Sequence, residues 1–115
     1  MGNEKEKLIK TLVFRPGEEP VFEMIPATQE AFEQLLDNGW VQHTQLGTHF
    51  IWILRNKYAK EDGLPYNRTY IDLETKASVD LYGTFAVVGI APDQSCLESI
   101  NEETGKDFIS RFKKH

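Results

Sequence analysis

The chain contains a single cysteine, Cys96, among its 115 residues. One cysteine cannot form an internal disulfide, which is typical of proteins from a reducing compartment. Long hydrophobic runs are also missing, since no stretch approaches the roughly 18 consecutive apolar residues of a membrane span. The first seven residues are charged rather than apolar, unlike a secretory signal. These absences predict a cytoplasmic protein without contact to a membrane.

Basic residues are in the minority, because 13 lysines and arginines stand against 18 aspartates and glutamates, giving a formal net charge of −5. Nucleic-acid binding is driven by basic patches, so direct binding to nucleic acid is not expected. The acidic residues concentrate in 18–37 and 93–107. They are interpreted as a solvated surface. The alternative is an acidic face that docks a basic partner protein or imitates DNA.

Catalytic and metal-binding signatures are missing as well. His43 and His49 flank a turn, but a metal site needs three or four suitably spaced ligands. Cys96 precedes an acidic segment whose carboxylates make a thiol a poorer nucleophile, and it is interpreted as a small buried side chain. No nucleophile elbow or phosphate-binding loop occurs. We therefore predict no catalytic residues, no metal and no cofactor, and the sequence favours a binding protein over an enzyme.

The composition is that of an ordinary globular domain, with 40% hydrophobic and 27% charged residues and no repeat or linker. We expect one domain over residues 1–115, in which 1–7 form a flexible N-terminus. Apolar patterns and turn residues predict strands at 8–14, 21–25, 40–46, 49–55 and 84–90.

Two helices are expected in addition. The first begins after Thr28, a good N-cap, and ends at Asn38-Gly39, where Gly39 suits a left-handed cap. The second covers about 104–114. The pattern predicts an α+β fold: a small, mostly antiparallel sheet of about five strands, with one helix after the first hairpin and one C-terminal helix, both packed on one side. Residues 56–63 and 72–80 are expected to be polar connections.

The aromatic residues on the predicted strands are expected to pack in the core. They are Trp40, Phe50, Trp52, Tyr82 and Phe85. If one of the two tryptophans is exposed instead, it would mark a contact surface.

The segment from Pro65 to Arg68 is the first place to look for a binding site. Arg68 offers a planar, bidentate donor for a carboxylate or phosphate, Asn67 can donate and accept, and Tyr66 or Tyr70 could stack on a ring. Lys57, with Arg55 and His49, lies nearby in the sequence. Such a cluster could bind a small anionic ligand such as a nucleotide. The alternative is structural: Asn67 caps a turn, and Arg68 pairs with an acidic residue such as Asp72 or Asp80.

Three short segments occur in a characteristic order: Asn-Gly-Trp at 38–40, Gly-Leu-Pro-Tyr-Asn-Arg at 63–68, and Gly-Thr-Phe-Ala-Val-Val-Gly at 83–89. Over residues 8–113 they resemble a family of uncharacterised small proteins of bacteriophages, plasmids and conjugative elements, a domain of unknown function. Asn38 departs from the glycine usual there, and the loops at 55–62 and 72–80 are longer than typical. The resemblance implies a mobile-element origin and expression in a bacterial host, and it implies no reaction.

The leading hypothesis is a non-enzymatic binding protein of a mobile element that binds a host protein, with counter-defence as one form. The alternative is a small anionic ligand bound by Tyr66, Asn67, Arg68, Tyr70 and Lys57. A homodimer formed by edge-strand pairing is a further prediction, because a small open sheet leaves edges to cover.

Overall fold

The computed structural model describes residues 7–45, 50–72 and 75–114. These residues form nine strands and two helices: β1 (Leu8–Phe14), β2 (Val21–Pro26), α1 (Gln29–Leu35), β3 (Val41–Gln45), β4 (Ile51–Asn56), β5 (Tyr66–Ile71), β6 (Ser78–Tyr82), β7 (Phe85–Ile90), β8 (Leu97–Glu98), α2 (Glu102–Ile109) and β9 (Phe112–Lys113). The predicted strand end at residue 46, the predicted strand start at residue 49 and most of the predicted flexible N-terminus lie outside the described residues.

The strands form two antiparallel sheets. The large sheet has the order β2-β1-β7-β4-β3, and β8 pairs with the end of β7; the small sheet has the order β6-β5-β9. The predicted α+β class with an antiparallel sheet is therefore confirmed. The prediction of about five strands in one sheet is wrong, because the small sheet is a second layer. Strand β6 begins inside the segment 72–80 that was predicted to be a connection.

Strand β7 lies in the middle of the large sheet, and all six of its residues are buried. Successive side chains of a strand point to opposite faces of the sheet. Val87 packs with Leu12 and Ile53 on one face, and Ala86 and Val88 pack on the other. Both faces are covered, which is why the sequence of this strand is apolar without alternation.

The two helices cover opposite faces of the large sheet. Phe32 of α1 packs against Ala86 and Val88, whereas Phe108 of α2 joins Val87 and the small-sheet residue Leu81 on the other face. The prediction that both helices share one side is wrong, because the small sheet and α2 together form a layer opposite α1. Neither helix of the described residues is long and apolar enough to span a membrane.

Helix α1 begins as predicted, since the Thr28 hydroxyl accepts a hydrogen bond from the Ala31 amide at 3.1 Å. It ends differently. The left-handed residues are Asp37 and Asn38, with φ of 63° and 58°, and Gly39 is not among them. Gly39 serves close packing instead, because a Cβ at this position would lie 2.1 Å from the Asn56 side-chain nitrogen.

Helix α2 is shorter than the predicted 104–114 and begins earlier. Asn101 is its N-cap, and the Asn101 carboxamide oxygen accepts hydrogen bonds from the amides of Glu103 and Thr104. The chain leaves the helix after Ile109 so that Phe112 can enter the core as part of β9. A hydrophobic stripe that continues past the helix end gave the false impression of a longer helix.

Candidate functional site

The Pro65–Arg68 element begins β5, and a β-bulge interrupts its pairing with β6. Tyr66 pairs with Tyr82, but Arg68 pairs with Leu81, so Asn67 is the extra residue. A bulge turns the strand locally and changes the direction of side chains. Asn67 and Arg68 are both buried, with 3% and 2% of their surfaces exposed, as are Thr69 and Tyr70 further along the strand.

The Asn67 side chain joins three parts of the fold. Its amide nitrogen donates to the carbonyl oxygens of Phe14 at 3.0 Å and Gly83 at 2.7 Å. Its carbonyl oxygen accepts from Arg68 Nη1 at 2.8 Å. Asn67 therefore links β5 to the end of β1 and to the entry of β7.

The Arg68 guanidinium binds backbone rather than a carboxylate. Nη1 also donates to the Asn67 carbonyl at 3.1 Å, and Nη2 donates to the Glu18 carbonyl at 2.7 Å. Its carbon Cζ lies 5.7 Å from the centre of the Phe14 ring. The structural alternative, in which Arg68 would pair with Asp72 or Asp80, is wrong in its partners, because the buried guanidinium donates to the two carbonyl oxygens of Asn67 and to the Glu18 carbonyl between β1 and β2.

An ion pair connects β2 to the Arg15–Glu18 turn, which is the turn whose Glu18 carbonyl binds Arg68. Arg15 makes a bidentate contact with the Glu23 carboxylate, through Nη1 to Oε2 and through Nη2 to Oε1 at 3.1 Å. The Arg15 hydrogen bond lowers the pKa of Glu23 below its ordinary value, and partial burial opposes this shift. The Arg15–Glu18 turn is thus held from two sides, by Arg68 and by Glu23.

The five predicted ligand-binding residues do not converge on one space. Tyr70 is buried in the core beside Phe112, at a ring distance of 5.1 Å. The Tyr66 hydroxyl lies 2.6 Å from the Thr69 hydroxyl. Lys57 is exposed and borders a cleft that neither Asn67 nor Arg68 borders. Ligand binding at Asn67 and Arg68 stays a prediction, and a ligand there would have to replace the protein partners described above.

The two tryptophans behave differently. Trp52 is partly buried and its indole lies parallel to the His43 ring at 3.9 Å, whereas Trp40 is 72% exposed. Core packing is therefore the wrong prediction for Trp40, as it is for Phe50, which is 50% exposed. Trp40 precedes β3 directly, and its carbonyl accepts a hydrogen bond from the Lys57 amide at 2.8 Å.

We call the surface formed by Trp40, Lys57 and Tyr58 the Trp40 patch. Val41 pairs with Asn56 in the β3–β4 ladder, so Trp40 and Lys57 are neighbours at the end of that ladder. Tyr58 is 44% exposed, and the Lys57 ammonium lies 5.5 Å from the centre of its ring. The patch places two exposed aromatic rings and one cation at one end of the large sheet.

His43, His49 and Cys96 are the residues that the sequence offers for metal or thiol chemistry. No three His, Cys, Asp or Glu residues within 7–45, 50–72 and 75–114 come close enough together to hold a metal ion. Cys96 is exposed, so the interpretation as a buried side chain is wrong; the loop after β7 turns it outward. His43 stacks on Trp52, and His49 lies outside the described residues.

The geometry defines a small two-sheet α+β domain with buried polar side chains that fasten its turns and an exposed aromatic patch at one end. A family model described as Domain of unknown function (DUF3846) matches residues 9–113, and the chain belongs to this family. Comparisons with curated proteins and with solved structures found no significant match.

Proposed function

We propose that the protein is a non-enzymatic binding protein of a phage or plasmid and that it acts by binding a protein of the bacterial host. The observation that carries the proposal is the exposure of Trp40. Contiguous exposed apolar patches mark interaction sites, and tryptophan is among the residues that contribute most to binding when a partner buries them.

The Trp40 patch is also held in place before binding. The hydrogen bond between the Lys57 amide and the Trp40 carbonyl fixes the backbone on which the indole stands. Tyr58 adds a second exposed ring beside Lys57. An ordered patch loses less conformational entropy on association than a flexible one, so more of the contact energy contributes to affinity.

The chemistry of the Trp40 patch indicates which surface on the partner would complement it. An apolar pocket on the partner would accept the Trp40 indole, and acidic groups at the edge of that pocket would match Lys57. The mobile-element part of the proposal rests on the likeness of the segments 38–40, 63–68 and 83–89 to proteins of phages and plasmids. Its narrower form is inhibition of a host defence protein.

The test compares tagged wild type with Trp40→Ala in a bacterial lysate, followed by titration of the captured protein after purification. Met24→Ala is the matched control, because Met24 is 54% exposed but lies on the edge strand β2. We expect Trp40→Ala to weaken binding at least about 30-fold, as for a hot-spot residue, and Met24→Ala to change it less than about threefold. Equal binding by wild type and Trp40→Ala, or equal loss in both variants, would contradict the proposal.

Counter-defence has its own readout. Expression of wild type in a bacterium that carries the defence system of the captured partner should raise the plating efficiency of a sensitive phage. Expression of Trp40→Ala at the same level should leave plating unchanged. If both variants raise plating equally, the Trp40 patch is not the means of inhibition.

A further inference from the structure

Arg55 is a cation at the end of an apolar row. Ile51, Ile53 and Arg55 alternate along β4, and the two isoleucines pack in the core between the two sheets. Arg55 continues this row on the same face of the large sheet. Its side chain therefore starts between the sheets, where the core meets solvent.

The Arg55 guanidinium is left without a protein partner over the described ranges. Its Nε is buried and has no hydrogen bond, and the ion pairs found there involve Lys10, Arg15 and Lys114 instead. A buried donor that has lost water without gaining an acceptor is costly. The Arg68 guanidinium, by contrast, donates to three acceptors of the chain itself.

Two cavities share Arg55 as a lining residue. The inner cavity has a volume of about 160 Å³, and its other lining residues are five apolar or aromatic ones and three polar ones: Ile53, Tyr70, Ala77, Val79 and Leu81, with Thr44, Gln45 and Asp72. The outer cleft has a volume of about 340 Å³ and is bordered by Lys57 among other polar residues. Arg55 is the residue that lines both spaces, so one guanidinium borders an inner cavity that is partly apolar and an outer cleft that is mostly polar.

The outer cleft is locally cationic on an acidic protein. Arg55, Lys57 and Lys60 border it against two carboxylates, Glu61 and Asp80, while the whole chain carries a net charge of −5. None of the three cations forms an ion pair within the described residues. The Asp80 carboxylate accepts a hydrogen bond from the Thr69 hydroxyl at 2.7 Å, and the Lys60 ammonium lies 5.9 Å from the centre of the Tyr82 ring.

We propose that this cleft binds a small organic anion whose carboxylate or phosphate contacts Arg55 and whose apolar part, about the size of one ring, enters the inner cavity. A guanidinium donates a fork of hydrogen bonds that matches both oxyanions. An apolar cavity of about 150 Å³ is large enough for benzene. Lys57 and Lys60 add charge at the mouth. The proposal differs from the Trp40 proposal in its ligand, because a small anion here requires no protein partner, although Lys57 belongs to both surfaces.

The test uses phenyl phosphate and benzoate as probes, inorganic phosphate as the anion without a ring, and benzyl alcohol as the ring without charge. Binding is followed by two-dimensional ¹H–¹⁵N NMR of the protein, in which the Arg55 Nε–H signal reports directly on the proposed contact. We expect saturable shifts with a Kd of about 1 mM or tighter for at least one ring-bearing anion, and binding at least about tenfold weaker for benzyl alcohol and inorganic phosphate. Preference for phenyl phosphate would assign a phosphate ester, and preference for benzoate a carboxylate.

Substitutions distinguish the contribution of the Arg55 charge to binding from that of the inner cavity. Arg55→Gln should lower the affinity for the ring-bearing anion at least about tenfold, and the affinity of Arg55→Lys should lie between those of Arg55→Gln and wild type. Lys106→Gln is the control, because it removes an exposed charge on α2, and it should leave the affinity unchanged. Val79→Phe should narrow the inner cavity and weaken phenyl phosphate without changing the response to inorganic phosphate. The dispersion of each NMR spectrum verifies folding. The proposal is overturned if Arg55→Gln binds like wild type, if benzyl alcohol binds as well as the anions, or if no probe gives a saturable shift.

Discussion

Replacing Asn67 with alanine should lower the free energy of unfolding by about 3–5 kcal/mol. The substitution removes two hydrogen bonds to the carbonyl oxygens of Phe14 and Gly83 and one from the Arg68 guanidinium. A neutral hydrogen bond contributes about 1 kcal/mol net, and one to a charged group about 1.5–3 kcal/mol. The substitution leaves all three partners without these hydrogen bonds. Asn67 is only 3% exposed, so water cannot easily replace the lost contacts.

Urea denaturation followed by tryptophan fluorescence measures this loss, with an unchanged m-value as the sign that the unfolding reaction is the same. Gln34→Ala on the exposed side of α1 is the control and should stay within about 0.5 kcal/mol of wild type. A double-mutant cycle with Arg68→Ala should give a coupling of about 1 kcal/mol or more, because the two side chains touch. A loss below about 1 kcal/mol for Asn67→Ala would refute the argument that these bonds fasten β5 to β1 and β7.

Glu23→Gln should cost about 0.5–1 kcal/mol at neutral pH, since the variant loses the charge that pairs with Arg15 at a partly exposed site. The folded-state pKa of Glu23 is lowered, so this contribution is full above the unfolded-state pKa and vanishes as the pH falls through the folded-state pKa; urea titrations from about pH 7 to about pH 3 should show the two proteins converging. Gly89→Ala should cost about 1–3 kcal/mol, because its Cβ would lie 2.8 Å from the Ser99 carbonyl oxygen, and thermal denaturation measures the change. Phe14→Ala should cost about 3–5 kcal/mol in urea, because its fully buried ring leaves a cavity.

Each of these predictions has a contrary result. A Glu23→Gln difference that grows toward acid pH would mean that another group titrates in its place. An unchanged melting temperature for Gly89→Ala would mean that β8 moves away from β7 without cost. A loss below about 2 kcal/mol for Phe14→Ala would mean that the aromatic core collapses around the missing ring.

The elements that were predicted well depend on local patterns. The hairpin of β1 and β2, the start of α1 at Thr28 and the apolar strand β7 each carry their signal within a few neighbouring residues. Strand β6 carries no such signal. Its exposed residues Ser78, Val79 and Asp80 show no apolar alternation, and the strand exists because β5 offers it a pairing edge.

The candidate site was hard to predict for the same reason. The partners of Asn67 and Arg68 are mostly backbone carbonyls, and a carbonyl belongs to every residue, so the sequence gives no sign of which ones will meet them. The bulge at Asn67 arises from strand register, which is a property of two segments together. Arg55 is easier to recognise in the sequence, because it continues the apolar row of Ile51 and Ile53, and a charged residue in such a row indicates the edge of a core.

The central position of β7 has a consequence for how the chain must be made. The hairpin β1–β2 and the pair β3–β4 lie on opposite sides of β7, and the large sheet order gives them no direct pairing with each other. During synthesis the chain up to Asn56 can therefore form two separate ribbons, and neither has a completed core until residues 85–90 join them. Ribbons with uncovered apolar faces aggregate readily. A stop codon before Phe85 should thus leave no folded remnant, only material for proteases and chaperones.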